Sequence, residues 1–210
     1  MSRKGDLEKI KQIFGCVNHE NITEEEMGVK NNKHNRGKKP RFVDTTSGFI
    51  GSSPLMEAIR GGHDEVCYYL IKDQKADLEV RNEYQWTALI LAARYDRIEV
   101  LKVLIDNNAN IKAQDNDGDH AASLAARNGN HDALKMLVAK DRSVIDLKRL
   151  DGETPLIHAT ILGNVDVVKF LVHENANVNL KDNLGNTAIH YAIQYLYPEI
   201  TKIFKSMDLK

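Results

Sequence analysis

The sequence predicts an all-α solenoid, and three observations predict it. A six-residue opening recurs as SPLMEA, TALILA, HAASLA, TPLIHA and TAIHYA, starting at residues 53, 87, 120, 154 and 187, which are 34, 33, 34 and 33 apart. Each copy is followed at a fixed offset by an apolar run: EVCYYLI, EVLKVLI, DALKMLV, DVVKFLV and EITKIFK. No apolar run approaches the length of a membrane span. A regular period in this range means one supersecondary unit per repeat, each burying its apolar flanks against its neighbours.

The copy TPLIHATILGNVDVVKFLV, 154–172, shows what one unit contains. Thr154 is placed to N-cap a helix, and Pro155 suits the first helical position, where an amide would lack a partner. Leu156, Ala159 and Thr160 then share a face. Gly163 can take the left-handed conformation that ends this helix, and Asn164 is expected to cap the next. Val165, Val168, Leu171 and Val172 make the second helix's apolar stripe, after which Asn175, like Asn108, stands where a left-handed turn is needed.

These residues resemble the ankyrin-repeat family. The TPLxxA opening, the glycine between helices, and endings such as NANVNLKDNLGNTAIH (175–190) and NNANIKAQDNDGDH (107–120) are similar to its helix–loop–helix–hairpin module over residues 49–210. There are departures. Tyr84-Gln85-Trp86 stands where a glycine-containing turn is usual, His120 replaces the capping threonine, and only His190 keeps the family's histidine after the opening.

Three segments follow from this register: an N-terminal half-repeat cap at 1–15, a long polar and basic insertion at 16–48, and an array of five repeats at 49–210. In GDLEKIKQIF (5–14), Ile10, Ile13 and Phe14 fit the apolar columns of a second helix. The insertion has no helical or strand period, far exceeds the usual connection of ~4–6 residues, and is expected to be exposed and mobile. Along the second helices two apolar columns run through Cys67, Leu101, Leu134, Val168 and through Ile71, Ile105, Val138, Val172. Thr201 and Lys205 take those places in the last unit, which is the polar end a C-terminal cap requires.

Composition narrows function. Lys plus Arg number 29 against 30 Asp plus Glu, so the molecule as a whole is not a binder of nucleic acid or anionic membranes by net charge. Two cysteines far apart fit a reducing compartment, and the start lacks the apolar core of a signal peptide. A cytoplasmic location fits, while a nuclear one, or export as a bacterial effector acting on host proteins, would leave the same signature. No HExxH, phosphate-binding glycine loop, CxxC or recognisable nucleophile is present, so no catalytic residue, metal or cofactor is expected. His158 and His190 are expected to bond within their helices, and Cys67 to act as a small buried hydrophobe.

Function then falls to the faces free to vary. Helical spacing places Glu57, Arg60 and Gly61; Leu91, Arg94 and Tyr95; Leu124, Arg127 and Asn128; His158, Ile161 and Leu162; and Tyr191, Gln194 and Tyr195 on the concave side. Arg60, Arg94 and Arg127 would stack in one column, where like charges ~8–10 Å apart in water repel by only about 0.4 kcal/mol. An anionic segment could neutralise all three. The hairpin tips carry Phe49, Glu83, Tyr84 and the only tryptophan, Trp86, then the acidic Asp117, Asp119, Asp151 and Glu153. Trp86 either anchors a partner together with Tyr84 and Tyr95 or packs down on the neighbouring hairpin. The groove is thus expected to have a cationic floor and an acidic rim.

The resemblance implies non-catalytic protein–protein recognition through this face. The candidate contacts are Arg60, Glu83, Tyr84, Trp86, Arg94, Tyr95, Arg127, Asn128, Ile161, Leu162 and Tyr195, and the expected partner is a protein with acidic and apolar elements. The chain alone is expected to be monomeric and not inserted in a membrane. A different class of reading assigns phosphate contacts, on nucleic acid or anionic lipid, to Lys30, Lys33, Arg36, Lys38, Lys39 and Arg41; no aromatic stands among these residues to stack on bases. A third makes the array the targeting subunit of an enzyme complex. The resemblance also implies that Asn179, with Leu171 upstream, is similar to sites of asparaginyl hydroxylation in ankyrin hairpins.

Overall fold

A computed structural model describes Thr46 and residues 50–206 of the chain. The expected half-repeat, the 16–48 insertion with its basic run, and Phe49 lie outside the described residues. Within them are five pairs of short helices: α1 (Pro54–Gly61) with α2 (Asp64–Tyr68), α3 (Ala88–Arg94) with α4 (Ile98–Asp106), α5 (Ala121–Asn128) with α6 (His131–Lys140), α7 (Pro155–Ile161) with α8 (Val165–His173), and α9 (Ala188–Gln194) with α10 (Pro198–Lys205). α2 continues as a π-helical turn, Tyr69–Asp73. The described residues contain no strand. The chain is all-α.

Each first helix starts on a side-chain cap. Ser53, Thr87, His120 and Thr154 accept from the backbone N–H three residues on, and Thr187 pairs with His190 in a capping box. Behind the caps, Ala58, Ala92, Ala125, Ala159 and Ala192 form a fully buried column, whose single methyl groups let successive first helices stack closely. The first apolar column of the second helices, Cys67, Leu101, Leu134 and Val168, is fully buried; Ile71, Ile105 and Val138 are buried beside it, and Val172 packs against the core's edge. Burial pushes the Cys67 thiol up to about 12, so it is an inert hydrophobe.

Left-handed residues mark the repeat's joints. Gly62, Asp96, Gly129, Gly163 and Leu196 have positive φ between paired helices, Lys75, Asn108 and Asn175 after second helices, and Gly51, Gln85, Gly118, Gly152 and Gly185 at the tips. The third unit departs from this pattern. Asp141 accepts from Ser143 N–H and starts a 3-10 turn, Arg142–Asp146, which buries Val144 and Ile145.

Two hydrogen-bond ladders tie units together. At the tips, Glu83 N–H donates to Ile50 O, Asn116 to Tyr84, Leu150 to Asp117 and Asn183 to Asp151, at 2.8–3.2 Å. Deeper, the residue before each of the last four second helices reaches back to the preceding first helix. Arg97 Nε donates to Ile59 O, Asn130 Nδ2 to Ala93 O, Asn164 Nδ2 to Ala126 O, and Tyr197 OH to Ile161 O. Asn164, expected to cap its own helix, instead closes off carbonyls at the end of α5. Ala126 O already accepts from Gly129 N–H of its own cap, so the Asn164 amide gives it a second partner and also donates to Arg127 O across the interface.

Candidate functional site

Four tips share a backbone pattern that fixes what they display. In the second, third and fifth, an Asx side chain folds the turn: Asn82 Oδ1 accepts from Tyr84 and Trp86 N–H, Asp115 Oδ1 from Asp117 and Asp119, and Asp182 Oδ1 from Leu184 and Asn186. Side chains between these anchors point outward. Tyr84 is 47% exposed, and Leu150 and Leu184 more so.

In the fourth tip Arg149 takes the Asx position, a residue that sequence reasoning passed over. Its guanidinium lies 3.6 Å from Asp119, 3.0 Å from Asp151 and 3.7 Å from Glu153. His158 Nε2 stands 2.6 Å from Glu153 Oε2, and its Nδ1 3.8 Å from Asp119. The His158 hydrogen bond, helped by Arg149, holds the Glu153 carboxyl below its ordinary range against the opposing effect of burial. This corrects two expectations. His158 bonds across to a tip rather than within its helix, and the acidic rim is largely compensated, with the Asp119 side chain only 2% exposed. The signal was available: 149 is where 82, 115 and 182 carry Asn or Asp.

The expected floor also changes. Leu91, Leu124, His158 and Tyr191, read as lining the groove, are buried; the helix face that stays open begins one turn later. The three-arginine column is not three free cations. Arg60 is ion-paired with Glu57, and Arg127 stands 4.0 Å from Asp119. Arg94 differs: its guanidinium carbon sits 5.0 Å above the Trp86 ring.

Trp86 itself packs down. Its ring is half-buried against Ile90, Ala113 and Leu124, and Nε1–H donates to Asp115 Oδ2 of the next tip at 3.0 Å. The Tyr84 ring lies 4.8 Å from it and stays exposed, with Tyr95 following Arg94 at 38% exposed. One cluster thus forms around the second unit from Tyr84, Trp86 and Arg94, with exposed Tyr95 next to Arg94 in the chain. A second apolar set lies further along, where Leu162 and Tyr195 are exposed and Ile161 is half-buried against the core. Glu83 and Asn128 are exposed, and each offers its backbone or side chain to a neighbouring unit: Asn116 Nδ2 donates to Glu83 O, and Asn128 Nδ2 to Arg94 O.

Asp115, Asp117 and Asp119 bring carboxylate oxygens within 4.8 Å of one another. Asp115 is already committed on both oxygens, to two backbone N–H groups and to the Trp86 indole, so this is a folded turn rather than a ligand set. The free cysteine among the described residues is the buried Cys67. No helix among those residues is long and apolar enough to cross a membrane.

A family model described as ankyrin repeats (three copies) matches residues 2–115 and 122–209. Neurogenic locus notch homolog protein 1 of Xenopus laevis is 38% identical over 109 residues, which is 50% of this chain and 4% of that protein. Its Homo sapiens counterpart matches equally. Neurogenic locus notch homolog protein 2 of Homo sapiens is 34% identical over 160 residues, 68% of this chain and 6% of that protein. The chain therefore spans only a small fraction of the length of these curated relatives.

Proposed function

The chain belongs to the ankyrin-repeat family, whose repeats are generally protein–protein interaction modules, and on that premise we propose that it recognises a partner protein without catalysis. The partner is held by the open face of the first helices and the hairpin tips. One observation carries this reading: Tyr84, Tyr95, Leu162 and Tyr195 are large side chains left exposed on a tip or at the C-caps of first helices while the flanks between units are closed. Rigid aromatics of this kind dominate interface energetics.

The module works as a five-repeat array, monomeric on its own, in the cytoplasm or nucleus. Arg60, Arg127 and Asn128 lie along the same face as supporting contacts. The basic run 30–41 is not needed for this reading.

The test is a surface triple variant, Tyr84→Ala, Arg94→Ala and Tyr95→Ala, with Trp86 kept because its ring fills the core. Affinity for a partner recovered by pull-down is expected to fall about 30-fold or more, with helical circular dichroism unchanged. An unchanged affinity in a folded variant would show that another surface binds.

A further inference from the structure

We infer that the second unit holds a clamp for a single carboxylate, an aspartate or glutamate side chain on a linear segment of the partner protein. The inference rests on the recognition reading above and specifies its chemistry. Of the three arginines on this face, Arg60 is closed by Glu57 and Arg127 approaches buried Asp119. Arg94 makes no ion pair among the described residues, and none of its nitrogens is buried without a partner, so its donors meet solvent.

Its position is set. The guanidinium lies over Trp86 at 5.0 Å, and Trp86 is fixed from below by its hydrogen bond to Asp115 and by the core. A guanidinium at this distance keeps N–H donors that the ring does not use, free for a bidentate acceptor. Exposed Tyr84 lies against Trp86 and suits an apolar residue beside the carboxylate.

The Arg94 cation, unpaired among the described residues, selects an anionic occupant, and the carboxylates around it limit that occupant to one charge. The same tip carries exposed Glu83, and the next carries Asp115 and exposed Asp117. One short-range bidentate pair tolerates these carboxylates, whereas a dianionic phosphate or a polyphosphate chain would face their repulsion with a single cation to hold it. A peptide carboxylate is the matched ligand.

The experiment selects displayed random 12-residue peptides on the full chain and measures the recovered sequences as synthetic peptides. Trp86, the only tryptophan, reports binding by its own fluorescence. Enriched peptides are expected to share an Asp or Glu next to an apolar residue. Changing that acid to its amide, or Arg94→Gln in the protein, should weaken binding on the order of tenfold; Lys102→Gln, exposed on α4 away from this face, should leave it within about twofold. Peptides that shift Trp86 fluorescence yet ignore both the amide change and Arg94→Gln would overturn the clamp while leaving the recognition face intact. Peptides that bind without any Trp86 response, and survive the surface triple variant, would overturn both. A selection that enriches nothing would overturn the clamp, because it is inferred to read a short linear segment.

Discussion

Replacing Gly118 by alanine is expected to destabilise the array by about 2–4 kcal/mol, while Gln85→Gly, at the same place one repeat earlier, stabilises it by about 0.5–1 kcal/mol. Both residues are left-handed, with φ of 79° and 61°. Any residue with a Cβ is strained there, and Gln85 bears that strain in an exposed tip. At Gly118 a second effect is added. A Cβ would lie 2.6 Å from Leu150 N, the donor that joins the third and fourth tips through Asp117 O. Backbone cannot yield as a flexible side chain does, so the inter-tip bond is lost together with the local conformation. Urea midpoints of the two variants check the opposite signs; a Gly118→Ala midpoint equal to wild type would show that the tips do not hold the units together.

Stability should also fall by about 3 kcal/mol between pH 6.5 and pH 4 through one residue, His120. The side chain is fully buried, and burial lowers its pKa from 6.5 to about 4. Nδ1 accepts the Ser123 N–H at 3.0 Å as the cap of α5, which puts the neutral ring's proton on Nε2, where it has no hydrogen-bond partner. Protonation would turn the capping acceptor into a donor facing another donor. The unfolded chain binds this proton below pH 6.5 and the folded chain only below about 4, so stability is complete above 6.5 and declines as pH drops through that window. Asp119 and His158 are the titratable neighbours, and carboxylates elsewhere add their own slopes below pH 5. His120→Thr isolates the effect: threonine caps α3 and α7 in the same register, and its variant should lose most of the slope. Equal slopes in both proteins would place the titration elsewhere.

Much of this was legible before any coordinate. The period, the capping residues, the buried columns through Leu101 and Leu134, and the left-handed Asn108 and Asn175 all follow from local chemistry repeated in register. What was hidden depends on what the neighbouring unit offers. Asn164 looks like an ordinary cap until the last carbonyls of α5 stand beside it. Arg60, Arg94 and Arg127 look equivalent at helical spacing, yet Glu57, Trp86 and Asp119 give them three different fates. Arg149 reads as one more surface cation because its partners come from the preceding tip as well as its own. Spacing along the chain reports the face a residue occupies; it does not report which side chain meets it there.

The most direct measurement is hydroxyl-radical footprinting of the chain with and without a captured partner, read at individual side chains. Binding should protect Tyr84, Tyr95, Leu162 and Tyr195 while leaving Tyr68, Met136 and Phe170, on the second helices, as reactive as before. Protection confined to those second-helix residues, with the tip and first-helix aromatics untouched, would contradict the account.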